Sequence, residues 1–182
     1  MNFIGKTAIV TGAGRGLGLS YAQELARLGA NVVISDSGAD RVGAGTDTSI
    51  ALDAARVLQA QGYSVMGHHG DLASEQGCQQ LVEAAIEAFG QLDILIHNAG
   101  WVGYQAIEEV QLSFIERALD INIHCPIWLC KHAWKHLRQS SSARVVLTSS
   151  DRAMYQQYAQ TGLSAYAAGK MAQLGIMNAL SM

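Results

Sequence analysis

A glycine-rich stretch decides the fold: Thr11-Gly12-Ala13-Gly14-Arg15-Gly16-Leu17-Gly18. It follows a β-branched run that predicts a strand, Thr7 to Val10, and it opens a run with apolar residues at helical spacing, Leu17 to Leu28. A turn from a strand into a helix presents backbone N–H groups to a pyrophosphate, and glycines let the phosphate approach because they have no Cβ. A plain glycine-rich turn is the alternative, and the flanking strand and helix weigh against it. The residues predicted to contact a dinucleotide are Gly12, Gly14, Arg15, Gly16, Leu17 and Gly18.

Outside this turn, short β-branched runs alternate with longer helical runs, which predicts a parallel sheet covered on both faces. The predicted strands are Thr7–Val10, Val32–Ser35, Ser64–His68, Leu92–His97 and Val145–Ser149. The predicted helices are Leu17–Leu28, Ser49–Gln61, Ser74–Phe89, Leu112–Gln139 with a kink at Pro126, and one from about Ser164 to the end. No linker or repeat divides the chain, so we expect one three-layer α/β/α domain over residues 1–182, with a doubly wound sheet.

Composition excludes several classes of partner. Hydrophobic residues make up 49% of the 182 residues and charged residues 15%, which is typical of a packed core. The net charge of −3 offers no basic field for nucleic acid or an anionic membrane, and no apolar run is long enough to span a bilayer. The three cysteines show no metal-ligand spacing, so we expect no metal site and reduced thiols in a cytoplasmic protein.

Asp36 bears on which dinucleotide would bind. It ends the second predicted strand, where a carboxylate accepts the hydroxyls of an adenosine ribose and repels a 2′-phosphate. Arg15 favours the opposite choice, because its guanidinium can pair with a 2′-phosphate. We weigh Asp36 more heavily, since a buried carboxylate facing a phosphate is the costlier mismatch, and predict NAD rather than NADP. An ordinary loop carboxylate beside Ser37 and Gly38 is the other interpretation.

A tyrosine and a lysine stand four residues apart, Tyr166 and Lys170, and therefore on one face of the last predicted helix. A phenol titrates near 10, too high for acid–base work at neutral pH. A nearby ammonium stabilises the phenolate and brings the group toward the working range. The pair thus predicts a site that moves a proton to or from a substrate oxygen.

Taken together, these motifs resemble the classical short-chain dehydrogenase/reductase family across essentially the whole chain. The motifs, in chain order, are Thr11-Gly12-x-x-x-Gly16-x-Gly18, Asp71-Leu72, His97-Asn98-Ala99-Gly100, Asn122, Ser149-Ser150 and Tyr166-x-x-x-Lys170. The resemblance implies a Rossmann-like fold and an NAD(P)-dependent oxidoreductase that interconverts a secondary alcohol and a ketone.

The resemblance also implies a role for each matched residue. Tyr166 would give or take the proton, Lys170 would assist it and bind the nicotinamide ribose, and Ser150 would hold the substrate oxygen. Asn122 would fix a water that links Lys170 to solvent. The cofactor would lie against a further set of residues: Asp71, Leu72, Asn98, Ala99 and Gly100. A homodimer or homotetramer is implied as well.

The sequence departs from the family pattern at three places. His97 stands where the family has Asn, and Ser150 lies 16 residues before Tyr166, about three more than is usual, so Ser149 or Ser164 could replace it. Family members continue past the last helix, so we expect a C-terminally truncated domain without the last strands. A catalytically inactive NAD-binding or interaction module is therefore an alternative function. The loop after Asp36, with Val42-Gly43-Ala44-Gly45, is more weakly similar to hydroxyacyl-CoA dehydrogenase modules of multifunctional enzymes.

Overall fold

Five parallel strands form one sheet in the structure, a computed structural model that describes residues 2–40, 43–155 and 160–181. The strands are β1 (Thr7–Thr11), β2 (Asn31–Asp36), β3 (Val65–His69), β4 (Ile94–His97) and β5 (Arg144–Leu147). Their order is β3-β2-β1-β4-β5, so the direction of winding reverses between β1 and β4. This reversal opens a crevice at the carboxyl ends of those two strands, where such sheets bind ligands.

Among the described residues, seven α-helices connect and cover the strands. They are α1 (Gly16–Arg27), α2 (Ser49–Ala60), α3 (Glu75–Phe89), α4 (Leu112–Leu119), α5 (Cys125–Leu137), α6 (Asp151–Met154) and α7 (Ser164–Leu180), with a 3₁₀ turn at Ile107–Glu109. Helix α3 shows why such elements start and stop where they do. The Ser74 hydroxyl accepts a hydrogen bond from the Gly77 amide at 3.1 Å, and Gly90 ends the helix at φ +75°.

The core has two halves, one on each face of the sheet. Residues alternate between the faces along β1, so Ala8 and Val10 pack toward α1 and α2, while Ile9 packs toward α3 and α5. All three are fully buried. Burial on both faces explains why the strands read as continuous apolar runs, and it confirms the doubly wound, three-layer α/β/α arrangement.

Asp93 ties the amino edge of the sheet together, opposite the crevice. Its carboxylate accepts hydrogen bonds from Lys6 Nζ at 2.9 Å, the Thr7 amide at 3.0 Å, Gln91 Nε2 at 2.8 Å and Ser140 Oγ at 2.5 Å. Burial alone would raise the pKa of Asp93, but the bonds from Ser140, the Thr7 amide and Lys6 outweigh it, so the pKa lies below its ordinary value.

The helix predicted over Leu112–Gln139 is present over Leu112–Leu137, but its irregularity lies before the proline rather than at it. Helix α4 ends at Leu119 and continues through a π-helical turn at Asp120–His124 into α5, which begins at Cys125. Pro126 has no N–H to donate to the Asn122 carbonyl four residues earlier, and Asn122 lies in that π-helical turn. The wider turn places Asn122 in the interior, where it is fully buried.

Smaller differences concern element ends. Strand β4 begins at Ile94 rather than Leu92, and β5 ends at Leu147 rather than Ser149, because Ser150 instead caps α6 in the predicted loop. Val42 of the stretch after Asp36 lies outside the described residues. Within the part of the chain that the structure describes, no helix is long and apolar enough to cross a membrane. Nor do three or more His, Cys, Asp or Glu side chains there form a group that could hold a metal ion.

Candidate active site

The glycine turn lies at the carboxyl end of β1 and forms the floor of the crevice. A Cβ on Gly12, which has φ +60°, would lie 2.8 Å from the Ala99 Cα, and one on Gly18 would lie 2.2 Å from the Gly12 carbonyl oxygen. Only glycine allows these close approaches of backbone to backbone. Arg15 is the residue before α1, and its guanidinium carries only donors, so it cannot accept a hydrogen bond from the N–H groups of the first turn. Such a helix start suits a phosphate.

Thr11 joins this turn to the segment after β4. Its hydroxyl oxygen accepts hydrogen bonds from the Asn98 amide at 3.2 Å and the Ala99 amide at 3.0 Å, and lies 3.3 Å from His97 Nδ1. Because two amides use the oxygen's lone pairs, we infer that the hydroxyl donates to His97. The Asn98 side chain donates to the Gly12 carbonyl at 3.0 Å. The predicted residues Asn98, Ala99 and Gly100 therefore lie beside the glycine turn.

His97 can accept that proton because it is neutral. Burial, together with the positive charge of Lys170, lowers the pKa of His97 to about 3, against a hydrogen bond with Ile121 that raises it. The imidazole therefore keeps one unprotonated nitrogen throughout the physiological range. His97 connects the strand ends by bonding to Thr11, in the position where the family has Asn.

Asp36 faces the glycine turn from the end of β2. Its carboxylate accepts a hydrogen bond from the Gly14 amide at 3.0 Å and another from the Gly38 amide at 2.9 Å, one on each oxygen. A Cβ on Gly14 would lie 2.4 Å from the Ile50 Cγ2 and 3.1 Å from this carboxylate, so glycine at this position gives both side chains room. The Arg15 guanidinium donates to the Ala39 carbonyl. Asp36 and Arg15 both line a cavity of about 300 Å³ that runs along the crevice.

Asp71 and Leu72 line the same cavity beyond β3. Leu72 is buried, whereas the Asp71 side chain is 60% exposed. Arg117, which the sequence analysis did not single out, reaches toward Asp71 from α4, with Nη1 3.6 Å from Oδ2. No sequence spacing connects these two residues, because they lie on different elements.

Helix α7 brings Lys170 to the opposite end of the crevice. Its ammonium donates to the Thr148 carbonyl at 2.8 Å and lies 6.0 Å from the centre of the Tyr166 ring. Burial lowers the pKa of Lys170 to about 8, although the nearby Cys125 acts in the opposite direction. A Cβ on Gly100 would lie 3.0 Å from the ammonium, so Gly100 leaves room for it. Tyr166, Lys170 and Gly100 are thus neighbours.

Asn122 is held from two sides. Its side-chain oxygen accepts from the Trp101 amide at 3.2 Å, and its Nδ2 donates to the Trp101 carbonyl at 2.9 Å. Its main-chain carbonyl lacks an α-helical donor, because Pro126 stands four residues later and has no N–H. Gln173 Nε2 donates to that carbonyl at 3.0 Å. Gln173 was not predicted from the sequence, and the spacing of Asn122 and Pro126 was the available signal for such a donor.

Gly169 permits this close packing of α7. A Cβ at that position would lie 2.6 Å from the Asn122 Cβ, well inside the contact distance of two carbons. The three candidate serines differ in what they bond. Ser149 Oγ donates to the Lys170 carbonyl at 2.8 Å, the Ser150 hydroxyl accepts from the Arg152 amide at 3.3 Å, and Ser164 begins α7.

The doubly wound parallel sheet, with a glycine turn at the carboxyl end of β1, defines a class of protein: an α/β protein with a Rossmann-like fold. Comparison with known sequences gives the family. The family model described as short chain dehydrogenase matches residues 6–182. The chain belongs to the short chain dehydrogenase family of oxidoreductases, as the motifs predicted.

Two relatives are multifunctional proteins. The chain is 32% identical to peroxisomal multifunctional enzyme A of Dictyostelium discoideum over 181 residues, covering 100% of this chain and 40% of that protein. It is 29% identical to peroxisomal multifunctional enzyme type 2 of Mus musculus over 185 residues, covering 100% of this chain and 24% of that protein. The weaker similarity to modules of multifunctional enzymes is thus confirmed.

Solved structures agree with the fold. A short chain dehydrogenase/reductase from Burkholderia phymatum in complex with NAD superimposes with a TM-score of 0.87 at 26% identity, covering 99% of this chain and 60% of that one. A short-chain dehydrogenase/reductase from Serratia marcescens gives a TM-score of 0.85 at 28% identity, covering 97% of this chain and 67% of that one. The Rossmann-like fold is therefore confirmed, and the chain spans about three fifths of the length of the NAD-bound relative.

Proposed function

We propose that this chain interconverts a secondary alcohol and a ketone by hydride transfer, with NAD as the redox partner. The observation that carries the proposal is the placement of the buried Lys170 ammonium 6.0 Å from the centre of the Tyr166 ring and beside Gly100, which lines the same cavity as the glycine turn. A dinucleotide needs a glycine floor for its phosphates and room near the ammonium for its ribose. A Cβ on Gly12 would lie 2.8 Å from the Ala99 Cα, and one on Gly100 would lie 3.0 Å from the Lys170 ammonium, so both glycines allow the close packing that borders this cavity.

In the proposed mechanism the protein's residues bind, orient and move a proton. Bound NAD would supply the hydride acceptor. The Tyr166 phenol oxygen takes the hydroxyl proton of the alcohol, or returns it to the ketone, and the Lys170 ammonium stabilises the phenolate. The Ser150 hydroxyl holds the substrate oxygen. Asn122 supports Lys170 from the buried side of the site, where the side-chain amide of Asn122 is already bonded to the Trp101 backbone.

The choice of NAD over NADP rests on Asp36. Two backbone amides fix its carboxylate in the cavity, and a fixed negative charge there repels a 2′-phosphate. Arg15 reaches the Ala39 carbonyl and would have to leave it to pair with a phosphate. Both observations support NAD.

Substrate class, assembly and location complete the proposal. We propose an apolar substrate of the hydroxyacyl or oxoacyl type, because the relatives include multifunctional enzymes and a peroxisomal hydratase-dehydrogenase-epimerase. The assembly is a homodimer or homotetramer. The location is cytoplasmic. The word "peroxisomal" in the relatives' names describes those proteins. Cell fractionation would test the proposed cytoplasmic location of this chain.

The first experiment is a titration of the purified chain with NADH and NADPH, followed by nicotinamide fluorescence. We expect saturable binding of NADH with a lower Kd than that of NADPH. Asp36→Asn should bring the two Kd values closer together. A screen of secondary alcohols and ketones then tests turnover, which Tyr166→Phe should abolish without loss of NADH binding. NADH binding without turnover of any alcohol or ketone would contradict the proposal. That result would favour the second function, an NAD-binding or interaction module.

A further inference from the structure

A charged pair that has no part in the proposed mechanism borders the crevice. Arg117 lies on α4 and Asp71 follows β3, and the guanidinium Nη1 lies 3.6 Å from the carboxylate Oδ2. The side chains are 32% and 60% exposed, so the pair lies at the rim rather than in the core. Such an exposed pair contributes little to stability, because water and salt screen it.

Two apolar residues accompany this pair. Leu72 and Ile121 line the same cavity as Arg117 and Asp71, and they are only 5% and 8% exposed. These four residues combine apolar side chains with a charged pair whose formal charges cancel, whereas the other charged residues that line the cavity, Arg15, Asp36 and Asp40, lie on the glycine turn, at the end of β2 or after it. This combination suits an uncharged, planar group better than a phosphate, because a phosphate would meet the Asp71 carboxylate.

Arginine supplies the remaining feature that a planar ring needs. Its guanidinium is flat and stacks on aromatic faces, which an ammonium does not do. Asp71 can bind one edge of the guanidinium and leave the flat face of the guanidinium available for stacking. We infer that Arg117 is a cofactor-binding residue, which stacks on the adenine ring of the bound dinucleotide and covers it over Leu72 and Ile121. The inference rests on the proposed function, since it concerns the same cofactor.

The test measures adenosine, AMP and NADH binding by calorimetry to the whole chain and to its variants. Arg117→Met should weaken the binding of all three ligands by about tenfold, because the stacking contact is common to them. Arg117→Lys should recover only part of this loss, since it restores charge without a flat group. Nicotinamide mononucleotide, which has no adenine, should bind wild type and Arg117→Met equally.

A control variant is available on α2. Arg56 forms a comparable exposed pair with Asp53 at 2.7 Å and lines no part of the crevice, so Arg56→Met should bind every ligand as the wild type does. Unchanged adenosine binding by Arg117→Met would overturn the inference, and so would a loss for AMP without a loss for adenosine, which would indicate a phosphate contact. Adenosine binding that depends on Arg117 in a chain without turnover would support the inference while contradicting the proposed function. A wild-type chain that binds no adenine nucleotide would overturn both.

Discussion

Two glycines on α7 give a sharp test of how this helix packs. A Cβ on Gly175 would meet no atom within 4 Å, whereas a Cβ on Gly169 would lie 2.6 Å from the Asn122 Cβ. Alanine favours a helix over glycine by about 1 kcal/mol at either position. Gly175→Ala should therefore raise the free energy of unfolding by about 0.5–1 kcal/mol.

Gly169→Ala has the same gain opposed by overpacking. Carbon atoms in contact lie about 3.5–4.0 Å apart, so α7 or the π-helical turn must move by about 1 Å. Such insertions cost about 1–3 kcal/mol in packed interiors, which leaves a net loss of about 0–2 kcal/mol. The change in the free energy of unfolding should thus be positive for Gly175→Ala and negative or close to zero for Gly169→Ala, although the chemical change is identical.

The assay is urea and thermal unfolding of the wild type and both variants, followed by far-ultraviolet circular dichroism. For a chain of this size, 1 kcal/mol moves Tm by about 2–4 °C, so Gly175→Ala should melt above the wild type and Gly169→Ala at or below it. NADH binding provides a second readout, because displacement of α7 carries Lys170 with it. Equal stabilisation by the two variants would refute the packing of α7 on Asn122.

Three further predictions concern buried polar groups. Asp93→Asn should lower the free energy of unfolding at pH 7 by about 1–3 kcal/mol, since it removes a hydrogen-bonded charge. The folded-state pKa of Asp93 is depressed, so its contribution to stability is present above the unfolded pKa and is lost as the pH falls below about 4 and through the folded pKa. Urea titrations at decreasing pH would measure this, and a difference between wild type and Asp93→Asn that does not shrink as the pH falls would contradict it. The pKa of Lys170 falls from 10.5 to about 8 on folding. Between these pH values the unfolded chain binds more protons than the folded chain, so the free energy of unfolding of the wild type, relative to that of Lys170→Met, should rise with pH by up to about 3 kcal/mol. A difference that does not change with pH would argue against burial of the charged group. Gln173→Leu leaves the Asn122 carbonyl without its side-chain donor and should cost about 1–3 kcal/mol in the same assay, whereas Met171→Leu on the exposed face should change it by less than about 0.5 kcal/mol.

Local patterns were sufficient to predict the sheet and the glycine turn. Each of the five strands was found within about two residues of its predicted ends, because continuous β-branched runs bounded by polar turns have one good solution in a parallel sheet. Gly12 and Gly18 were predicted from spacing alone, and the structure shows the backbone contacts that exclude any side chain there. The strands and the glycine turn depend on residues that are close together in the sequence, which is why local sequence patterns predict them.

The π-helical turn before α5 could not be predicted in the same way. Pro126 predicts an irregularity in the long helix, because its missing N–H leaves the Asn122 carbonyl without an α-helical donor, but it does not predict whether the helix bends or widens. The wider turn accompanies the burial of Asn122 and its bonds to Trp101, which lies 21 residues earlier. The pairs Arg117–Asp71 and Gln173–Asn122 were missed for the same reason, because each is formed between separate elements that only the fold brings together.

Asn122 shows why the position of Lys170 follows from features that are distant in sequence. Its side chain is fixed to the segment after β4 through both polar atoms of the Trp101 backbone, and its carbonyl is fixed to α7 through Gln173. Gln173 and Lys170 lie three residues apart on α7 and therefore on neighbouring positions of one face. Because Gly169 lets that face approach Asn122, the distance from α7 to the crevice is set by backbone contact rather than by flexible side chains. The Lys170 ammonium is thus placed by the packing of two helices, and the role proposed for Tyr166 beside a cofactor requires such fixed placement.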